Sequence, residues 1–226
     1  MHMADALLSP QVGAVMWTAT VAAGAVAARG VTRRPDDSRL ALMGVTGAFV
    51  FAAQMINFAI PGTGASGHLG GGLLLAALLG PHAGFLVMAS VLAVQALFFA
   101  DGGLLAYGAN AFNLGFITCF LAYPLLLRPL LRGRLHPARL RAAALLSAIV
   151  ALQSGSLGVV LETLLSGRTE LPAGPFLLLM QPIYFVVGIV EGLITAGVLG
   201  YVWRARPALL ESALDSAASV RPQQWR

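Results

Sequence analysis

The chain has 226 residues, of which 58% are hydrophobic and only 10% are charged, and its formal net charge is +5. A soluble domain carries about 25% charged residues, so this composition excludes a water-soluble globule. It equally excludes an intrinsically disordered chain, which needs low hydrophobicity and high charge. The single cysteine, Cys119, excludes a disulfide scaffold. The class that fits the composition is a polytopic helical membrane protein.

Apolar runs of about 20 residues are typical of membrane-spanning helices. We predict an all-α fold, a single transmembrane domain over residues 1–206, with seven such spans at 11–28, 40–60, 69–79, 83–100, 110–127, 140–165 and 176–203. The third run is shorter than a usual span and ends at Gly80-Pro81. Residues 207–226 are more polar and are predicted to form a cytosolic tail.

The arginines determine the predicted orientation, because cytoplasmic loops carry an excess of Lys and Arg. Thirteen of the fourteen Arg residues fall in loops 29–39 and 128–141 or after residue 203. These segments share one side of the membrane only if residues 69–79 cross it. The exception, Arg168, falls in the opposite set of loops. We therefore predict an N-terminus outside and a C-terminus in the cytosol of a bacterial inner membrane, and no nucleic-acid partner is needed to explain the Arg residues.

The N-terminus is the first candidate metal-binding element. Residues 1–10 contain no Lys or Arg, unlike the basic start of a signal peptide. We expect Met1 to be retained, because the large His2 side chain should hinder removal of the methionine. The α-amine of Met1, the amide nitrogen of His2 and the imidazole of His2 can then close two adjacent chelate rings around one ion. Such nitrogen donors suit square-planar Ni²⁺ or Cu²⁺ best. The alternative is that His2 is an ordinary exposed terminal residue.

A second candidate is His68, in the glycine-rich loop 61–72 on the predicted outer side, the side of Met1. A His at the mouth of a membrane bundle is a functional candidate, and an interfacial or capping His is the alternative. His82 and His136 fall on the cytosolic side and are interpreted as interfacial.

Polar side chains interrupt the spans, and those near the outer side could orient ligating imidazoles through hydrogen bonds. These candidates are Gln54, Asn57, Ser66, Gln95, Asp101 and Asn110. Ordinary interhelical hydrogen bonding is the alternative for each of them. Glu191 lies deepest in its span and is expected to be protonated or hydrogen-bonded inside the bundle.

Small residues recur every fourth position at 14, 18 and 22 and again at 44, 48 and 52. Such stripes allow close helix contact, either within this chain or with another membrane subunit.

Several segments resemble the CbiM and NikM proteins. The first is the start of the chain, Met1-His2-Met3-Ala4-Asp5-Ala6-Leu7-Leu8-Ser9-Pro10. The others are Gln54-Met55-Ile56-Asn57-Phe58, Ser66-Gly67-His68-Leu69-Gly70-Gly71, Gln95-Ala96-Leu97-Phe98-Phe99-Ala100-Asp101-Gly102-Gly103, Gly108-Ala109-Asn110 and Gly188-Ile189-Val190-Glu191-Gly192. The resemblance extends over about residues 1–203. Where many members of the family have a His in the last helix, this chain has Tyr184.

The resemblance implies a function: the substrate-binding membrane (S) subunit of an energy-coupling factor (ECF) transporter for cobalt or nickel. It implies that Met1, His2 and His68 hold the metal ion. It also implies partners, namely a transmembrane coupling (T) subunit, cytosolic ATPase (A) subunits and a small accessory membrane subunit. The chain contains no Lys and hence no phosphate-binding loop, so we expect no enzyme activity and no cofactor of its own; the partners would hydrolyse ATP.

Two other functions stay open at this point. Gly64-Ala65-Ser66-Gly67 matches the G-x-S-G pattern of rhomboid serine proteases, in which the Ser needs a His base within hydrogen-bond reach. Alternatively, Glu162 and Glu191 could serve an ion- or proton-coupled carrier, although the inverted repeats of such folds are not visible.

Overall fold

The computed structural model describes residues 1–32, 37–133, 135–208 and 210, and it is mostly helical. The helices are α1 (Pro10–Thr32), α2 (Asp37–Gln54), α3 (Gly72–Leu79), α4 (Pro81–Phe98), α5 (Tyr107–Leu131), α6 (Pro137–Ser166) and α7 (Ala173–Ala205). A 3-10 turn at Asp5–Leu7 precedes α1. The tail predicted at 207–226 lies almost wholly outside the described residues.

Five helices of the described chain, α1, α4, α5, α6 and α7, are long and apolar enough to cross a membrane. The apolar part of α2 is shorter, at Leu40–Gln54. With eight residues, α3 is about 12 Å long, well short of a hydrocarbon core of about 30 Å. The prediction of a helical protein with several membrane spans is confirmed, and the count of seven stays a prediction.

The structure departs from the predicted second span at its C-terminal end. The helix ends at Gln54, and Phe58–Ile60 form strand β1, which pairs antiparallel with β2 at Ala65–Gly67. The turn between the strands contains Gly62 and Gly64 with φ of 74° and 67°, a backbone region that glycine enters without strain. The all-α prediction therefore holds for the bulk of the chain but missed this hairpin.

The predicted third span also differs, because its helix begins only at Gly72. Seven of the eight residues of α3 are buried, as expected for a helix that is apolar on every side. A Cβ on Gly72 would lie 2.5 Å from the backbone oxygen of Leu114, so α3 packs directly against the main chain of α5.

The buried residues form two hydrophobic clusters, one toward each end of the bundle. One contains Met1, Met3 and Phe176, at the end where α1 and α7 begin. The other contains Ala27 and Leu199, where α1 and α7 end. The candidate site belongs to the first cluster.

The small-residue stripes predicted on α1 and α2 face outward. Positions 14, 18, 22, 44, 48 and 52 are all exposed, so these stripes do not pack inside this chain. Close internal contacts occur at other glycines: a Cβ on Gly192 of α7 would lie 2.7 Å from the Cα of Leu145 in α6, and a Cβ on Gly108 of α5 would lie 2.5 Å from the backbone nitrogen of Trp17 in α1.

Candidate metal centre

The first three residues enter the bundle as an extended segment beside the hairpin. Met1 and Met3 are fully buried, and His2 is 3% exposed. The Ser66 amide donates to the His2 carbonyl oxygen at 3.1 Å, and Met3 forms an antiparallel bridge with Ala65. Main-chain pairing to β2 therefore fixes the path of the N-terminus.

The start of α5 holds the same segment from its other side. The Met3 amide donates to Oδ1 of Asn110 at 2.8 Å, and Nδ2 of Asn110 donates to the Met3 carbonyl oxygen at 3.3 Å. Oδ1 of Asp5 accepts from the Ala106 amide at 2.9 Å. Asn110 thus orients the N-terminal segment itself rather than an imidazole.

The side chain of Met1 fills a space that a glycine leaves open on α6. A Cβ on Gly155 would lie 2.6 Å from Cε of Met1 and 3.0 Å from the Asn113 carbonyl oxygen. Gly155 is the nineteenth residue of the thirty-residue helix, so Met1 lies well inside the bundle.

The α-amino nitrogen of Met1 lies 2.5 Å from Nε2 of His68. The other ring nitrogen of His68, Nδ1, lies 2.7 Å from the carbonyl oxygen of Leu69 and donates its hydrogen to it. This tautomer leaves an Nε2 lone pair facing the amine. Two nitrogens bound side by side to one ion at about 2.0 Å each would be about 2.8 Å apart in a square plane, so these two atoms would have to separate by about 0.3 Å to share an ion.

His2 completes the convergence of nitrogen donors. Its ring stacks on that of His68, with centroids 4.4 Å apart and an interplanar angle of 25°. Neither ring nitrogen of His2 has a hydrogen-bond partner. Buried polar atoms almost always have a partner, and leaving one without costs about 1–3 kcal/mol. An unsatisfied, buried imidazole beside a second imidazole and an amine fits a metal ion as the missing partner.

Asp101 lies at the edge of this site. Its Oδ1 is 3.3 Å from Nδ1 of His2, without the geometry of a hydrogen bond, and its Oδ2 accepts from Nδ2 of Asn57 at 2.9 Å. The carboxylate places a negative charge where a divalent ion would gain from it. Gln95 lies next to the His2 imidazole, and its Oε1 has no partner.

Gln54 and Ser66 were predicted to orient a ligating imidazole through side-chain hydrogen bonds, but neither side chain makes such a bond. Nε2 of Gln54 donates to the Gly70 carbonyl oxygen at 2.6 Å, so it supports the loop after His68 and not an imidazole. Oγ of Ser66 has no hydrogen-bond partner, and Ser66 contributes through its main chain.

Burial sets the protonation of the donors. It lowers the pKa of the Met1 α-amine well below 8.0, and it lowers the pKa of His2 to about 3, with the nearby amine adding to the effect. Burial and the same amine lower the pKa of His68. Burial raises the pKa of Asp101. The amine and both imidazoles are therefore neutral near pH 7, and each has a nitrogen lone pair that a cation could take up.

Two residues of α7 contact the segment around His68, although neither was among the residues predicted to support the site; Glu191 is hydrogen-bonded inside the bundle, as expected. The carboxylate of Glu191 accepts from the amides of Gly70 and Gly71, and the hydroxyl of Tyr184 donates to the Ser66 carbonyl oxygen. Their spacing of seven residues on one helix is a signal that could have linked them.

The other histidines lie away from the site, as predicted. His82 packs edge-on against Phe120, with centroids 5.5 Å apart. Nδ1 of His136 accepts from the Arg139 amide at the start of α6. Neither shares a contact with His2 or His68.

The protease and carrier alternatives find no support in the described residues. Ser66 Oγ bonds to no base, because the two nitrogens of His68 face the Met1 amine and the Leu69 carbonyl. Glu162 accepts from Nδ2 of Asn113 at 2.9 Å, a fixed interhelical bond.

Over the described ranges, no group of three or more His, Cys, Asp or Glu side chains is placed to hold a metal ion. The nitrogens that converge here are the two imidazoles and the α-amine of Met1, which belongs to the main chain.

Comparison with known proteins identifies the family. The family model of CbiM, the cobalt uptake substrate-specific transmembrane region, matches residues 2–209. The chain is 32% identical over 238 residues to the fused nickel transport protein NikMN of Rhodobacter capsulatus, covering 98% of this chain and 67% of that protein. It is 29% identical over 219 residues to the cobalt transport protein CbiM of Sorangium cellulosum, covering 93% and 95%.

A crystal structure of a truncated transition metal transporter superimposes with a TM-score of 0.82 at 33% sequence identity, covering 90% of this chain and 99% of the other. The chain is a multi-pass membrane protein that belongs to the CbiM family of cobalt and nickel transport proteins.

Proposed function

We propose that this chain is the substrate-binding membrane subunit of an ECF importer for Co²⁺ or Ni²⁺, and that Met1, His2 and His68 bind the ion. The observation that carries the proposal is the convergence of the Met1 amine with two buried imidazoles, one of which has both ring nitrogens unsatisfied. The names of relatives in nickel and cobalt transport supply the choice of ions.

The proposed donors are four nitrogens: the amine of Met1, the amide and Nδ1 of His2, and Nε2 of His68. A deprotonated amide in this set would carry one negative charge, and Asp101 beside it would neutralise the second charge of the ion. Neutrality matters because a net charge inside a membrane bundle is expensive to bury. Nitrogen donors of this kind bind Ni²⁺ more tightly than Co²⁺.

The proposed mechanism begins with an ion arriving from the outer side. The N-terminal segment folds onto β2 and Asn110, where burial favours the neutral amine, and the His2 amide would lose its proton as the metal–nitrogen bonds form. Release to the cytosol then requires a reorientation of the bundle that partner subunits drive with ATP, because this chain has no Lys and no phosphate-binding loop.

The proposed topology has seven spans, with the N-terminus outside. In its favour, the end of α1 meets the start of α4, since a Cβ on Gly30 would lie 2.3 Å from the ring of His82. The short α3, together with the extended residues before it, would complete the crossing that brings the Arg-rich loops to one side.

The proposed partners are a T subunit, A subunits and a small accessory membrane subunit. The exposed small-residue stripes of α1 and α2 offer surfaces on which a T-subunit helix could approach closely. The relative named as a fused nickel transport protein extends beyond the matched region by a third of its length.

The testing experiment is a titration of the purified chain with Ni²⁺ and with Co²⁺, by calorimetry together with absorption spectroscopy. The variants are His2→Ala, His68→Ala and a chain with one residue added before Met1; His82→Ala is the matched control at the other end of the bundle. We expect one-to-one binding with a square-planar nickel band in the wild type and in the control. Each of the other three variants should lose more than about 100-fold in affinity, beyond the loss seen for outer-layer residues.

Binding that survives the added residue would remove the N-terminal amine from the site. Absence of binding in the wild type, with Met1 shown by N-terminal sequencing to be present and unmodified, would overturn the proposed function.

A further inference from the structure

We propose that Tyr184 and Glu191 of α7 are positioning residues for the metal centre, which hold residues 66–71, here called the His68 loop, against the N-terminal segment. The inference rests on the proposed function, because the positions it explains are those of the proposed ligands. Neither side chain would touch the ion.

Glu191 hydrogen-bonds to the C-terminal end of the His68 loop. Its Oε2 accepts from the Gly70 amide at 2.6 Å, and its Oε1 accepts from the Gly71 amide at 3.0 Å. Glu191 is 3% exposed, so both of these hydrogen bonds are shielded from bulk water. A Cβ on Gly70 would lie 3.0 Å from Oε2, which shows how closely the loop backbone approaches the carboxylate.

The Gly70 amide belongs to the peptide unit that joins Leu69 to Gly70, directly after His68 and Leu69. Leu69 offers the carbonyl oxygen to which Nδ1 of His68 donates. Fixing the Gly70 amide therefore fixes the Leu69 carbonyl in the same peptide unit, and that carbonyl sets both the tautomer and the direction of the His68 ring. Glu191 thus acts on His68 through one shared peptide bond.

Tyr184 grips the N-terminal end of the same loop. Its hydroxyl donates to the Ser66 carbonyl oxygen at 2.7 Å, and the side chain is fully buried. The amide of Ser66 in turn donates to the His2 carbonyl oxygen at 3.1 Å. Tyr184 therefore supports the stretch of β2 to which the N-terminal segment is paired.

The two contacts act together because Tyr184 and Glu191 are seven residues apart on a continuous helix. Two helical turns place them on the same face, separated along the axis by about 10 Å. One face of α7 consequently holds both ends of a loop that carries His68 and pairs with His2. Any displacement of α7 would move both ligand-bearing segments together.

A nearby carboxylate provides a matched control. Glu162 of α6 is also buried and also bonds across the bundle, to Nδ2 of Asn113 at 2.9 Å. It has no bond to the His68 loop. Glu162→Gln therefore imposes a comparable change of a buried carboxylate without touching the proposed positioning contacts.

The absence of lysine supplies a probe that does not depend on metal. The Met1 α-amine is the only primary amine of the chain, so an amine-reactive ester labels that atom alone. The labelling rate of the metal-free protein reports how often the N-terminal segment leaves its buried position. It is measured at one fixed pH, in detergent without amine lipids.

The experiment compares Tyr184→Phe, Glu191→Gln and Glu162→Gln with the wild type in amine labelling, Ni²⁺ affinity and thermal unfolding. Tyr184→Phe keeps the ring and removes one hydroxyl, so the fold should survive even if Glu191→Gln is poorly folded. We expect both α7 variants to label at least about tenfold faster and to bind Ni²⁺ about 10- to 100-fold more weakly, the range for residues that orient ligands. Glu162→Gln should have the labelling rate and the Ni²⁺ affinity of the wild type, when both are measured on the folded fraction of the protein.

Wild-type labelling and affinity in both α7 variants would overturn the inference while leaving the proposed function intact. Equal losses in Glu162→Gln would also overturn it, because the effect would then follow from general destabilisation. Faster labelling of the α7 variants in a protein whose wild type binds no Ni²⁺ would support the positioning role and reject the metal function.

Discussion

The α-amino nitrogen of Met1 and Nε2 of His68 lie 2.5 Å apart inside the protein, although 67 residues separate them in sequence. Both groups are buried, and burial lowers the pKa of each, so the contact joins two neutral nitrogen donors. An N-terminus usually carries a charge and lies in water. Its burial beside an imidazole is the relationship on which the proposed metal centre depends.

The first prediction concerns pH. The N-terminal segment can be docked, with residues 1–3 buried against β2 and α5 as in the structure, or undocked and exposed to water. In the undocked state the amine and the His2 imidazole would have their ordinary pKa values of 8.0 and 6.5. In the docked state both pKa values are lower, and that of His2 is about 3. The undocked state therefore binds more protons, and docking weakens as the pH falls below 8 and again below 6.5. We expect Ni²⁺ affinity to fall by up to about tenfold per pH unit for each proton displaced.

Calorimetry in two buffers with different ionisation heats would count these protons directly. An affinity that stays constant from pH 8 to pH 5.5, with no proton released, would contradict the amine and amide as ligands. His82→Ala should follow the wild-type profile.

The second prediction concerns the space that receives the Met1 side chain. Gly155→Leu would place a branched side chain where Cε of Met1 lies, and overpacking of this kind costs about 1–3 kcal/mol. If the N-terminus is displaced, Ni²⁺ affinity should fall by about 10- to 100-fold. Gly155→Ala should have a smaller effect because the end of Met1 is flexible.

Gly200→Leu on α7 is the control, since nothing lies within 4 Å of a Cβ at that position. Titration of all three variants checks the prediction. Unchanged binding by Gly155→Leu would show that Met1 reaches the site by another path.

The third prediction concerns Asn110, whose side chain satisfies both main-chain groups of Met3. Asn110→Leu would leave two buried polar groups without partners, and each costs about 1–3 kcal/mol. The docked segment should therefore become less populated, and Ni²⁺ affinity should fall by at least about tenfold. Asn110→Asp, which keeps the acceptor for the Met3 amide, should lose less; equal affinities of the two variants would refute this reasoning.

The fourth prediction concerns assembly. Ala48 lies in the exposed stripe of α2, where a large side chain would keep another helix at a distance. Ala48→Trp should reduce co-purification with the T subunit and leave Ni²⁺ binding by the isolated chain unchanged. Leu161→Trp on the exposed face of α6 is the control. Full co-purification of Ala48→Trp would exclude this stripe as the contact surface.

Parts of the fold could be read from the sequence because a membrane imposes simple requirements. Runs of apolar residues predicted the long helices, and the structure has them within a few residues of their predicted limits, as for α6 at Pro137–Ser166 against 140–165. The hairpin was missed because Phe58–Ile60 is as apolar as the helix before it, and hydropathy does not separate a strand from a helix.

The sequence by itself determined that this protein lies in a membrane, that His2 can form a chelate with the amine before it, and that His68 is a candidate beside it. These conclusions depend on composition and on neighbouring residues. Only the tertiary structure decided that the N-terminus is buried next to His68, that Ser66 acts through its main chain, and that Tyr184 and Glu191 hold the loop between them. Those relationships join segments more than 60 residues apart and depend on hydrogen bonds and packing between them. The seven-residue spacing of Tyr184 and Glu191 indicates a shared helix face, but it does not identify what that face contacts.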